Sequence, residues 1–192
     1  QNKFNNKSNF GFGGDAKIGI GSSLNVDLTF NPDFSQVEVD NQVTNLDRFE
    51  ILFPEKRQFF IEKGDLFANF GTDGARPFFS RRIGVTRDPN TGQNIQNKID
   101  AGLRLSGKVH DDLRIGVLQM RTAAIDSINE PVNNFSVIAL QQKLFHRSSL
   151  GVIFTNKDVV GTKDFNRVGG VEYNIASKNN AVNGKVFYMQ SF

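Results

Sequence analysis

Apolar and polar residues alternate along most of the chain, most clearly in the segment 99–110, IDAGLRLSGKVH. Its apolar positions are Ile99, Ala101, Leu103, Leu105 and Val109, and its polar positions are Asp100, Arg104, Ser106, Lys108 and His110. A period of two predicts a β-strand with one apolar and one polar face. The segment is longer than a typical globular strand of about 5–6 residues. Its length suits a transmembrane barrel strand of about 9–11 residues.

Weaker alternation predicts further strands on both sides of this segment. These strands are expected at 13–21, 24–30, 113–123, 134–145, 149–156, 167–176 and 182–191. In 113–123 the apolar phase changes at Val117 and Leu118, which indicates either a β-bulge or a strand buried on both faces. The N-terminal pair joins at the short turn 22–23. Its polar faces are expected to carry Asp15, Lys17, Asn25 and Asp27.

Short and long polar connections alternate between these predicted strands. HDD, HRSS and SKNN are short, whereas AIDSINEPVN and NKDVVGTKDF are longer. This asymmetry is typical of outer-membrane barrels, which have tight turns at one end and longer loops at the other. We therefore expect an all-β fold, an antiparallel up-and-down outer-membrane β-barrel that is partial here, with residues 1–192 as part of one barrel domain. A soluble β-sandwich is the alternative.

Residues 31–98 interrupt the meander and are predicted to form an insert or plug. Asn45 is a suitable N-cap, apolar residues follow at helical spacing, and Pro54 is a stop signal, which together predict a short amphipathic helix at 45–53. Beyond it, many phenylalanines alternate with charged residues. Each Lys or Arg near the bilayer midplane would cost about 2–4 kcal/mol. The charges therefore belong inside a barrel or outside the membrane, and the phenylalanines are expected to pack into a local core.

The charged residues of this insert are the candidate binding cluster. They are Glu55, Lys56, Arg57, Glu62, Asp65, Arg81 and Arg82. Each carboxylate has a basic residue nearby in sequence, which favours structural ion pairs over a pair of catalytic carboxylates. We predict no catalytic residues, and hence a protein that is not an enzyme. The alternative is a surface protein that binds or cleaves polysaccharide with the carboxylates of the insert.

Composition excludes several classes of site. The chain has no cysteine and two histidines, so thiolate chemistry and Cys- or His-rich metal sites are not expected. The net charge is +3, and basic residues are interspersed with acidic ones, which argues against nucleic-acid binding. No serine-centred elbow, phosphate-binding loop or zinc-protease motif occurs. We therefore predict no metal and no cofactor.

Three runs of the chain resemble the motifs of a known family: NPDFSQVEVD, FEILFPEKRQFFIEKGDLF and FFSRRIG. The family comprises uncharacterised Gram-negative outer-membrane proteins, typical of Bacteroidota. Its members combine an N-terminal domain similar to family 9 carbohydrate-binding modules with a long barrel-like domain. Where the family usually has a second proline in the second run, this chain has Gln58.

The resemblance implies that this chain is a piece of the barrel domain of a longer protein in the cell outer membrane. The alternation of the connections, together with the charged, Phe-rich insert, predicts a non-enzymatic role in transport, in surface assembly, or as an accessory subunit of an outer-membrane complex. The implied partners are outer-membrane lipid, other outer-membrane proteins, and glycans bound through an N-terminal domain. The family supplies no catalytic residues to carry over.

Overall fold

Eight antiparallel strands in up-and-down order form one open sheet in the computed structural model, which describes residues 12–32, 55–179 and 181–192. The sheet order is β1-β2-β5-β6-β7-β8-β9-β10. Its strands are β1 (Gly14–Ile20), β2 (Leu24–Phe30), β5 (Ile99–His110), β6 (Leu113–Thr122), β7 (Asn133–Leu144), β8 (Ser148–Val159), β9 (Phe165–Ala176) and β10 (Asn183–Ser191). The predicted all-β fold class is confirmed, and the open sheet is consistent with part of a barrel.

A 3-10 helix at Asp126–Ile128 lies between β6 and β7, and the other elements lie between β2 and β5, in the described part of the predicted insert. They are the helices α1 (Gln58–Ile61) and α2 (Asp65–Ala68), a 3-10 helix (Ser80–Arg82), and the hairpin β3 (Val85–Arg87) and β4 (Asn94–Gln96). The predicted helix at 45–53 lies outside the described residues. Within the part of the chain that the structure describes, no helix is long and apolar enough to cross a membrane.

Short turns lie at one end of the sheet and longer connections at the other, as predicted, except for the connection between β8 and β9. The turns 21–23, 111–112 and 145–147 are short, and the insert and the connection 123–132 leave from the opposite end. Because β8 and β9 extend further than predicted, the connection 160–164 is tight. It is slightly shorter than the turn 177–182, which was expected to be a short one.

One face of the sheet, called here the open face, is covered by no other described element and is apolar. The register aligns its side chains in rows across the strands, for example Ile18, Val26, Leu105, Val117, Ile138 and Phe154. Ile138 retains 46% of its surface exposed, and Val152, Phe154 and Val171 are exposed to a similar degree. The larger polar side chains of this face, such as Arg121, lie towards the end with the insert.

The opposite face, called here the covered face, carries the insert and most of the buried residues. Its middle strands contribute Leu118, Met120, Val137, Ala139 and Ile153 to a core completed by insert residues Phe60, Leu66, Phe67, Phe70 and Ile83. Its flanking strands carry buried polar groups, among them Asp27 on β2, Arg104 on β5 and Glu172 on β9. The sheet therefore has the polarity of its two faces inverted relative to a soluble sheet, which usually buries its more apolar face.

Glycines on the covered face allow the aromatic rings of the insert to lie directly on the backbone. A Cβ atom at Gly116 would lie 2.7 Å from Phe67 Cζ and 2.8 Å from Leu66 Cδ2. At Gly151 it would lie 2.8 Å from Phe70 Cε1. No motif of the sequence marks these glycines, although a strand glycine often indicates such a close approach.

The irregularities in the alternation lie in β5 and not in β6, where one was predicted. Pairing of β6 is continuous through Val117 and Leu118, so neither a bulge nor a two-sided burial of both residues occurs there. The register shifts lie in β5 instead, between Ile99 and Ala101 and near its C-terminal end. The first shift turns Ile99 to the covered face, where it is buried, away from the apolar face on which it was predicted.

Candidate functional site

The interface between the insert and the covered face holds the main cluster of charged groups, and Arg104 occupies one end of it. Its Nε and Nη2 donate to Asp27 Oδ2 at 3.0 and 2.7 Å. Its Nη1 donates to the carbonyl of Glu62 at 2.5 Å and to that of Phe59. The last carbonyls of a helix have no intrahelical partner. Arg104, which is 3% exposed, therefore joins α1 to strands β2 and β5.

The side chain of Glu62 strengthens the same junction. Lys17 on β1 donates to Glu62 Oε2, and Lys17 Nζ also lies 3.6 Å from Asp27 Oδ1. Gln58 donates to Glu62 Oε1 at 2.9 Å. The hydrogen bonds from Lys17 and Gln58 lower the pKa of Glu62 below its ordinary value. We call Lys17, Asp27, Glu62 and Arg104 the α1 cluster.

A second cluster holds the far end of the insert, beyond α2. Glu172 Oε2 on β9 accepts a hydrogen bond from the Gly71 amide at 2.8 Å, and its Oε1 accepts one from Asn174 at 2.8 Å. Lys185 on β10 donates to the carbonyls of Asn69 and Gly71 at 2.9 and 3.1 Å. Lys185 Nζ also lies 3.1 Å from Glu172 Oε2. We call Glu172 and Lys185 the tip cluster.

A third network lies within the insert and shapes it. Arg57 and Glu55 form a two-point ion pair, with Nε–Oε1 and Nη2–Oε2 distances of 2.8 Å each. Arg57 also donates to the carbonyls of Ile83 and Ser80 at 2.5 and 2.7 Å. Burial acts to raise the pKa of Glu55, but the hydrogen bonds and charge of Arg57, with the Ser80 hydroxyl, lower it below its ordinary value. This network joins the start of the insert to the 3-10 helix.

The structure distributes the predicted cluster over several places. Glu55 and Arg57 pair with each other, Glu62 belongs to the α1 cluster, and Asp65 pairs with Arg114 on β6 at 2.8 Å. The other predicted residues do not share one pocket: Arg81 is buried, whereas Lys56 and Arg82 are exposed. Arg81 and Arg82 both have interaction partners. The ion pairs of these carboxylates agree with the structural use that the sequence favoured.

Sequence reasoning missed the sheet residues that contact the insert. Asp27 and Arg104 were placed on polar strand faces but not paired, and Glu172 and Lys185 were not singled out. In these contacts the sheet side chains bind mainly backbone groups of the insert. The available signal was a charged residue on a predicted strand next to glycines, as in the run GGVE at 169–172.

A polar cleft of about 510 Å³ lies beside the tip cluster. Its lining includes Asp73 and Arg76 from the insert and Asn174 and Lys185 from the sheet. Arg76 pairs with Asp73, so these charges are already engaged. Among the described residues, no group of three or more His, Cys, Asp or Glu side chains could hold a metal ion.

Comparison with known proteins identifies the family of the chain but finds no curated relative or solved structure similar to it. No curated protein and no solved structure shows significant similarity to the chain. The profile of a domain of unknown function, DUF5916, matches residues 1–191. Since the match spans nearly the whole sequence, the chain belongs to the uncharacterised DUF5916 family.

Proposed function

We propose that this chain forms part of the wall of an outer-membrane β-barrel whose lumen is occluded by the insert. The barrel is not an enzyme, and it serves passage across the membrane or assembly at the cell surface. Its open face contacts lipid, and its covered face lines the lumen. The observation that carries the proposal is the inverted polarity of the two faces.

The open face supports this proposal through its extent. Its apolar rows cross the strands without interruption, from Ile18 on β1 to Phe154 on β8 in one row and from Ile115 on β6 to Tyr188 on β10 in another. Soluble monomers rarely expose contiguous apolar patches larger than a few hundred Å². Lipid would cover such a face without requiring a protein partner.

The covered face supports the proposal through its charges. Arg104 and Glu172 are buried, and such groups are stable only when paired and hydrogen-bonded. Their charged partners, Asp27 and Lys185, are also on the sheet, and backbone groups of the insert supply further hydrogen bonds. The insert fills the space over the middle strands with aromatic and aliphatic side chains. In the proposed barrel, the insert fills the part of the lumen that lies next to the described strands. Passage along these strands would therefore require the insert to move.

Two lysine substitutions on one strand test the placement in lipid. Ile138 and Asn134 both lie on the open face of β7, the first in the apolar rows and the second beyond them, between Arg121 and Asp158. In a bilayer, Ile138→Lys should destabilise the barrel by about 2–4 kcal/mol, whereas Asn134→Lys near the interface should cost about 0–1 kcal/mol. The measurements are the amount of full-length protein in the outer-membrane fraction and its unfolding free energy in lipid vesicles.

The same experiment has a clear negative outcome. In a soluble protein, lysine at an exposed position changes stability by roughly 0.5 kcal/mol or less. Equal behaviour of Ile138→Lys and Asn134→Lys, together with recovery of the full-length protein in the soluble fraction without detergent, would refute the proposal.

A further inference from the structure

The insert is attached to the sheet at one side only. It leaves the sheet at the end of β2 and returns at the start of β5, and these two strands are neighbours. Between these points it crosses β6, β7 and β8 on the covered face, and its turn at 69–75 reaches β9 and β10. Within the described part of the insert, the turn at 69–75, called here the tip, therefore lies farthest across the sheet from both covalent attachments.

Among the described residues, the attached side of the insert makes more polar contacts with the sheet than the tip does. In the α1 cluster, Arg104 contacts Asp27 and two carbonyls of the insert, and its guanidinium lies 4.9 Å from the centre of the Phe59 ring. The Arg57 network joins the same side to residues 80–83. Motion of the insert would therefore break the fewest contacts if this side remained in place.

The tip is held by the tip cluster and by Phe70, whose ring is buried against Gly151, and the tip cluster is the accessible part of this attachment. The Lys185 side chain is 31% exposed, and it lies on β10, an edge strand within the described sheet. The polar cleft opens beside it, with Asn69, Gly71 and Lys185 all in its lining. Water or an incoming polar group in the cleft can compete for the same carbonyls that Lys185 binds.

We propose that the described part of the insert, residues 55–98, is a hinged lid, which turns about the α1 cluster and is released at the tip by the opening of the Glu172–Lys185 cluster. The lid covers Gly116 and Gly151 when closed, and its opening uncovers the middle of the covered face. This regulation deepens the function proposed above and rests on it. The difference between the firmly held side and the releasable tip depends only on contacts between the insert and the sheet. Its test therefore gives an answer whether the protein lies in lipid or in solution.

Single cysteines on the covered face report the opening, because the chain has no cysteine of its own. The first substitution is Ile153→Cys, on β8 beside Gly170 and Met189. The Met189 side chain also approaches Gly71 in the tip. Ser106→Cys lies on β5, two residues from Arg104. Both positions are almost fully buried, and the Ser106 hydroxyl has no hydrogen-bond partner among the described residues, so its replacement breaks none there. The measurement is the rate of labelling by a water-soluble maleimide in the full-length protein freed of other cysteines.

Lys185→Met removes the ammonium group of the tip cluster and keeps most of the length of the side chain. We expect it to speed labelling of Ile153→Cys by at least about ten-fold, since opening exposes what the tip covers. Labelling of Ser106→Cys should change by less than about two-fold, because the hinge side stays closed. Glu172→Gln, which keeps an acceptor for the Gly71 amide, should act in the same direction more weakly.

Arg114→Met is the matched control, because it removes an ion pair to the middle of the insert that is half exposed. It should leave both labelling rates within about two-fold of the parent, as expected for a surface pair. Equal acceleration at Ile153→Cys and Ser106→Cys in both tip variants, or no acceleration at either position, would overturn the hinged lid. Fractionation of the same preparations reports separately on the outer-membrane proposal.

Discussion

Replacement of Arg104 by methionine should destabilise the protein more than any surface ion-pair substitution. Arg104 and Asp27 are both buried, and their contact links β5 to β2. Arg104→Met keeps the aliphatic volume but leaves the Asp27 carboxylate without its main partner. It also leaves the carbonyls of Phe59 and Glu62 without a donor.

The expected magnitude follows from what remains after the substitution. Removal of one partner of a buried ion pair typically costs about 3–5 kcal/mol. Lys17 Nζ, 3.6 Å from Asp27 Oδ1, still compensates part of the stranded charge. The freed carbonyls add the desolvation cost of buried acceptors, about 1–3 kcal/mol if no water reaches them. The two corrections act in opposite directions, so we expect a loss within the ion-pair range, about 3–5 kcal/mol in unfolding free energy.

A double-mutant cycle separates the buried charge from the lost anchoring of α1. Asp27→Leu combined with Arg104→Met removes both charges, and replacement of a buried pair by apolar residues is often close to neutral. The double variant should therefore recover part of the loss, and the carbonyl contacts account for the remainder. The assay is denaturant unfolding of the full-length protein in lipid vesicles.

Arg114→Met gives the reference for this cycle. Its ion pair with Asp65 is about half exposed, so it should cost less than about 1 kcal/mol. If Arg104→Met costs no more than Arg114→Met, or if the double variant is less stable than Arg104→Met alone, then Arg104 does not anchor the insert as argued.

Two further predictions concern the insert. Gly116→Ala would bring a Cβ to 2.7 Å from Phe67 and should destabilise by about 1–3 kcal/mol, measured by unfolding, whereas Gly19→Ala, with open space around it, serves as control. Equal effects of the two alanines would contradict the close packing of the ring. The lowered pKa of Glu55 means that its pairing with Arg57 stabilises the fold above the ordinary value of 4.5 and is lost as pH falls through the lower folded value. Unfolding free energy should therefore decline with acidification below about pH 4.5, and Glu55→Gln should lose that component of the pH dependence; identical pH profiles would refute it.

The strands could be predicted from the sequence because their signal is local. A period of two needs only neighbouring residues, and β7 at Asn133–Leu144 lies one residue from its predicted range of 134–145. The bulge near Asp100 was missed because an extra residue shifts the phase without changing the composition. Strand ends at 148–159 and 165–176 were missed because polar residues there continue the pairing beyond the apolar pattern.

Which face is covered could not be predicted from alternation alone. The segment 99–110 shows one apolar and one polar face, and a soluble sheet would bury the apolar one. The structure leaves Leu103 partly exposed and buries Arg104. That outcome depends on the insert, whose aromatic residues and backbone groups satisfy the polar face, and only the arrangement of distant segments determines it.

In the candidate site, too, contacts between residues close in sequence could be predicted and contacts between distant residues could not. Glu55 and Arg57 are two residues apart, so their pairing was within reach of the sequence. Arg104 and Asp27 are 77 residues apart, and Glu172 and Gly71 are 101 residues apart. Such contacts require the strand register and the path of the insert, neither of which leaves a local signal.

The polar contacts of the sheet with the insert go more to its backbone than to its side chains, and this determines which polar substitutions should matter. Arg104 and Lys185 donate to main-chain carbonyls at α1 and at the tip, and Glu172 accepts from a main-chain amide. A substitution of Glu62 leaves its own carbonyl available to Arg104, so it removes one branch of the α1 cluster and keeps the anchor. A substitution of Arg104 removes every one of its contacts at once. The position of the insert is therefore encoded mainly in the strands, and the insert contributes its turns and its aromatic core.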